Sequence, residues 1–163
     1  MRRILITSIS VLSLLITIVS PALATNPHFV NASASVGSNG ALVITWKEAG
    51  LGDNVNVDYT ASADASAVYG SVNNGQKHPK ASNKETFAGP VSGSGSFNSG
   101  RNGAINGSLS LGPVVPAPGT FSCPPGQTVE LISITYTNVV LTDVTNGISA
   151  PISPGPYTRV FFK

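Results

Sequence analysis

Charge is what this sequence has least of. Only 10% of its 163 residues are Asp, Glu, Lys or Arg, and the formal net charge is +2. Arg2 and Arg3 lie in an N-terminal segment that reads as removable. Without them seven basic residues face seven acidic ones. A balanced chain has no basic face, so nucleic-acid binding loses its electrostatic footing. Cysteine is almost missing as well. Cys123 stands alone, and the only histidines are His28 and His78. An intrachain disulfide is excluded, and so is a structural zinc centre built from four Cys and His ligands.

Other absences narrow the chemistry. There is no G-x-G-x-x-G and no phosphate-binding loop, so nucleotide cofactors have no support. No G-x-S-x-G elbow is present, and neither histidine sits where it would serve a serine nucleophile. His28 falls in an N-terminal stretch expected to be mobile, and His78 lies among lysines. Glycoside hydrolysis needs two carboxyl groups about 5–10 Å apart. No two acids stand at i and i+2; the nearest pairs are Glu48–Asp53, Asp53–Asp58 and Asp58–Asp64. Glu48, near a strand end, and Asp143, beside a turn, read as solvated edge charges. Helical periodicity is missing too, since no window after residue 24 repeats apolar residues at i, i+3, i+4 and i+7 over three turns.

What is there begins with Arg2-Arg3, an unbroken apolar run from Ile4 to Val19, and Ala22-Leu23-Ala24. Charged start, apolar middle and small-x-small end are the parts of a secretory signal peptide, cut after Ala24. The apolar run is shorter than the roughly 20 residues of a membrane span. The expected organisation is therefore a signal peptide at 1–24 and one released, extracellular domain at 25–163, with no membrane attachment after cleavage.

That domain reads as strands and turns. Val30, Ala32, Ala34 and Val36 share one face, as do Leu42, Ile44 and Trp46, with Gly37-Ser38-Asn39-Gly40 as the hairpin between them. Val55, Val57, Tyr59 and Ala61 form a third inward set, opposite the wet face of Asn54, Asn56, Asp58 and Thr60. A separate fourth strand is expected over 65–72. A polar loop follows, and then a strand over 86–98 with Val91, Gly93, Gly95 and Phe97 inward. Ile105, Gly107, Leu109 and Leu111 answer it. Inward glycines leave room for close backbone approach or for a large facing aromatic. The proline-rich stretch 112–127 crosses between layers or wraps an edge. The strand over 128–143 changes phase near Asn138, which predicts a bulge. Shorter strands at 148–152 and 157–162 close the chain. Eight or nine strands without a covering helix imply two antiparallel sheets packed face to face. The fold class expected is an all-β sandwich, immunoglobulin-like or of a related Greek-key type.

Several segments resemble small secreted bacterial β-sandwich proteins of uncharacterised function. They are Phe121-Ser122-Cys123-Pro124-Pro125-Gly126-Gln127, Tyr136-Thr137-Asn138-Val139, Ala81-Ser82-Asn83-Lys84 and Lys47 to Asn54. The resemblance implies no catalytic residues. It also implies a second cysteine in relatives near the positions of Gly70 or Ser71, which would make Cys123 the survivor of a lost bridge. Read from its own surroundings, Cys123 is a small buried hydrophobe or the link of a disulfide dimer between two chains. Its Pro-Pro-Gly turn offers nothing to activate a thiolate.

Lys77, His78, Lys80 and Lys84 are the one concentration of positive charge. They form either a solvated loop or a contact for an anionic extracellular polysaccharide or cell-surface polymer. Asp53, Asn54, Asn56 and Asp58 alternate oxygens, but without the glycine and terminal glutamate of a calcium loop, so no metal is expected there. Trp46, Tyr59, Phe97, Tyr136 and Phe162 read as inward. Tyr69, Phe87, Phe121, Tyr157 and Phe161 are open, and a coplanar exposed set among them would make a sugar platform. The expectation is a secreted, non-catalytic protein without cofactors, in an envelope, matrix or interaction role. A carbohydrate-binding module comes second, and a hydrolase built from acids on different strands third.

Overall fold

A computed structural model describes residues 26–73 and 83–162. Segment 1–24 and three of the four basic-loop residues, Lys77, His78 and Lys80, lie outside the described residues. Eight strands follow in order: β1 His28–Val36, β2 Leu42–Ala49, β3 Asn56–Asn73, β4 Lys84–Asn98, β5 Ala104–Leu111, β6 Gln127–Asp143, β7 Ile148–Ser149 and β8 Tyr157–Val160. Strand makes up 63% of the described residues and no α-helix is present among them, so each sheet covers the other. One sheet has the order β1-β2-β5 and the other β4-β3-β6-β7, with β8 also paired to β6. Every pairing is antiparallel. The described residues form an all-β sandwich.

The interior is built by alternation. Leu42, Ile44 and Trp46 on β2 face Val57, Tyr59, Ala61, Ala63, Ala65 and Ala67 on β3, and Ile134, Tyr136, Val139 and Leu141 on β6. Leu42, Ile44, Tyr59, Tyr136 and Leu141 have no exposed surface. The aliphatic side chains among them, Leu42, Ile44 and Leu141, each contribute roughly 1.5–3 kcal/mol by leaving water. The four alanines on β3 leave space for the aromatic rings beside them. Trp46, Tyr59 and Phe97 pack as tilted and edge-to-face pairs with centroids 4.7, 5.2 and 5.7 Å apart. Gly107 is the glycine that makes room: a Cβ there would fall inside the Trp46 indole.

Three details differ from the sequence reading. The third and fourth strands are one, because odd positions from Val57 to Tyr69 face inward without a break. In β1 a register shift lies between Phe29 and Asn31, so Phe29 packs on the core and Val30 is half exposed. At the C-terminus Phe161, not Phe162, joins the core cluster, next to Gly40. The bulge expected near Asn138 is present: Asn138 has φ +53° and the β3–β6 register shifts between Ser62 and Asp64. The bulge lets two long strands stay paired while they bend around the core.

Candidate functional site

The most unusual chemistry lies between the sheets, at the end where β2 and β6 finish and β3 begins. Glu48, Asp143 and Tyr59 all have zero exposed surface. This corrects the reading of Glu48 and Asp143 as solvated edge charges. Both acids continue the inward phase of their strands. Glu48 follows Leu42, Ile44 and Trp46 at two-residue steps, and Asp143 follows Val139 and Leu141. That phase was the signal available in the sequence. Spacing of acids at i and i+2 on one strand could not reveal it, because this pair is assembled from different sheets.

The Tyr59 hydroxyl donates to Glu48 Oε2 at 2.8 Å. Glu48 Oε1 has no donor. Asp143 lies within hydrogen-bonding reach of Glu48 and raises its pKa by both contact and charge. Burial is the largest cause; the Tyr59 bond opposes it, Asp143 adds to it, and the balance pushes Glu48 up from 4.5 to about 7. Asp143 is held differently. The Asn146 backbone N–H donates to Oδ1 at 2.9 Å and the Asn146 side-chain amide donates to Oδ2. Burial also raises Tyr59, and its bond to Glu48 raises it further, so the phenol stays a donor. The Trp46 indole N–H has no acceptor at full hydrogen-bond geometry. His28 is the first residue of β1 and exposed rather than loose. It pairs with Ala49, bonds to the Asn26 carbonyl at 2.8 Å, and is close enough to lower Glu48 slightly by its charge.

Lys84, the described member of the basic group, is exposed at the start of β4. It borders a polar groove of about 470 Å³ with Ser71, Glu85, Thr120, Phe121 and Ser122. Cys123 sits beside this groove, half-buried and unbridged. The Ser71 hydroxyl touches its sulfur at 2.7 Å. The turn after Cys123 forms as expected, closed by Gln127 N–H to the Pro124 carbonyl.

All eleven aromatic side chains are buried or partly buried. Tyr69 and Phe87 pack edge to face, Phe121 packs on Phe87, and Phe161 lies under the Arg159 guanidinium at 5.5 Å. The outer face of the larger sheet carries hydroxyls instead, with Thr60 paired to Ser94 and Thr142, and Ser66 to Thr135. Asp53 and Asn56 bond to the neighbouring amides of Asn54 and Asn98. No group of three or more potential metal ligands occurs among the described residues. No protein family, curated protein or solved structure was found to match the chain.

Proposed function

We propose that this chain is an exported, non-catalytic β-sandwich that acts through its surface, in an envelope, matrix or interaction role. One observation carries the reading: the acids close enough to work as a pair, Glu48 and Asp143, have no exposed surface and meet Tyr59 and Asn146 instead of solvent. A glycosidase needs one carboxyl group beside the leaving oxygen and another beside the sugar. The carbohydrate-binding alternative is weakened by the rings, all but Phe162 of which are spent on the core or on each other.

The strand order supports an immunoglobulin-like reading. The second strand pairs with the fifth and the third with the sixth, each pair in a different sheet. This is the B–E and C–F pairing of such sandwiches, with β4 extending the C–F sheet. The Cys-Trp-Cys core of antibody domains is not used. Export rests on the 1–24 segment.

The test has two arms. Full-length chain expressed in a secreting bacterium is expected in the medium, with an intact mass lacking residues 1–24. The purified protein is then screened against immobilised glycans and anionic cell-surface polymers, and assayed for glycoside turnover. Binding without turnover supports the proposal. Turnover that disappears in Glu48→Gln moves the protein to the hydrolase reading.

A further inference from the structure

We propose that Glu48 and Asp143 hold one proton between them inside the folded protein, and that this proton clamps the end of the sandwich where β2, β3 and β6 converge. The proposal does not rest on the functional reading above. It starts from two carboxyl groups with no exposed surface that meet at Tyr59, whose hydroxyl donates to Glu48 at 2.8 Å and which is the direct cross-strand partner of Asp143, itself within hydrogen-bonding reach of Glu48. Two carboxylates have only acceptors and cannot bond to each other. Unprotonated, they would place two like charges in an apolar interior, next to Trp46, Tyr59 and Leu141.

The surroundings decide which acid carries the proton. Asp143 receives two donors from Asn146, one on each oxygen, so its charge is compensated. Glu48 receives one donor, Tyr59, on Oε2, and Oε1 has none. A proton on Glu48 turns the repulsive contact into a carboxyl–carboxylate hydrogen bond, which is stronger than a neutral one. The other titratable groups facing the pair are His28 from β1 and Tyr59 from β3. The neutral Tyr59 phenol donates without adding charge, and His28 is exposed and only weakly felt. None of them supplies a buried cation to replace the proton.

The clamp joins the two sheets. Glu48 lies next to the end of β2, in the smaller sheet, whereas Tyr59 and Asp143 belong to the larger one. The folded pKa of Glu48, about 7, stands above its ordinary 4.5. The folded state therefore binds the proton more tightly, and the stability it confers is complete below about pH 4.5. It is lost as pH rises toward 7 and is gone above that. The protein is expected to be tightest on the acid side of neutrality.

Urea unfolding of the full chain and of Glu48→Gln, from about pH 4.5 to pH 8, tests this. The amide keeps the shape and cannot ionise. The wild-type folding constant is expected to fall, relative to Glu48→Gln, by on the order of 100-fold across the window and then to run parallel. Infrared spectroscopy gives a second readout that does not need a folded variant. A neutral carboxylic-acid carbonyl band is expected in the folded wild type at pH 6 and is expected to vanish by pH 8. Asp143→Asn is expected to shift that loss to lower pH. Parallel urea profiles throughout, or no neutral carboxyl band at pH 6, overturn the proposal.

Discussion

Gly107 faces inward on β5 opposite Trp46, and the indole fills the space a side chain would take. Gly107→Ala must therefore displace the ring that packs Tyr59 and Phe97. Overpacking of this kind costs roughly 1–3 kcal/mol. A lower urea midpoint with an unchanged m-value is the expected result. Cys123 makes the opposite kind of prediction. Its sulfur touches the Ser71 hydroxyl, so Ser71→Cys places two thiols in contact. The resulting bridge would tie the proline-rich segment to β3. It is expected to stabilise by about 2–4 kcal/mol, a gain reversed by reductant, with no free thiol in the oxidised form. The smallest feature of the sequence, one unpaired cysteine, becomes informative only beside its spatial neighbour.

At the scale of the element, β6 shows how a strand keeps two phases. Ile132, Ile134 and Tyr136 face inward on even numbers, and Val139 and Leu141 on odd ones. Asn138 absorbs the extra residue in the left-handed region, where its side-chain amide donates to Asp64 Oδ2 at 2.7 Å. Asn tolerates that conformation and a β-branched residue does not. Asn138→Gly is expected to stay near wild-type stability, losing only the exposed bond to Asp64. Asn138→Val is expected to lose on the order of 1–3 kcal/mol in thermal or urea unfolding. The phase change was legible in the sequence because apolar residues stop alternating at a residue suited to positive φ. The bulge in β1 was not, because Phe29 and Val30 are both apolar and either could be the inward one.

At the scale of the whole molecule, buried phenols fasten sheet to sheet. Tyr136 donates to the Gly40 carbonyl in the β1–β2 hairpin at 2.7 Å, and Tyr59 donates to Glu48. Tyr59→Phe removes the one donor Glu48 has, leaving a buried acid with none; a loss of roughly 1–3 kcal/mol is expected in urea. Burial raises Tyr136 to about 12, and raises Tyr59 and Tyr69 as well. A phenol whose folded pKa exceeds its unfolded 10 contributes stability below pH 10 and loses it as pH climbs toward the folded value. Alkaline titration is expected to show phenolate absorbance from these tyrosines appearing together with unfolding above pH 10, not before it.

The sequence alone determined the class of this molecule. Alternating side chains, turn residues at Asn39-Gly40 and Asn146-Gly147, and the want of any helical period lead to stacked antiparallel sheets, because a strand's two faces are written two residues apart. What only the tertiary structure decided is which acids meet. Glu48 and Asp143 are 95 positions apart and belong to different sheets. Their contact depends on sheet order and on the packing of one layer on the other. Periodicity along a single strand carries no information about either.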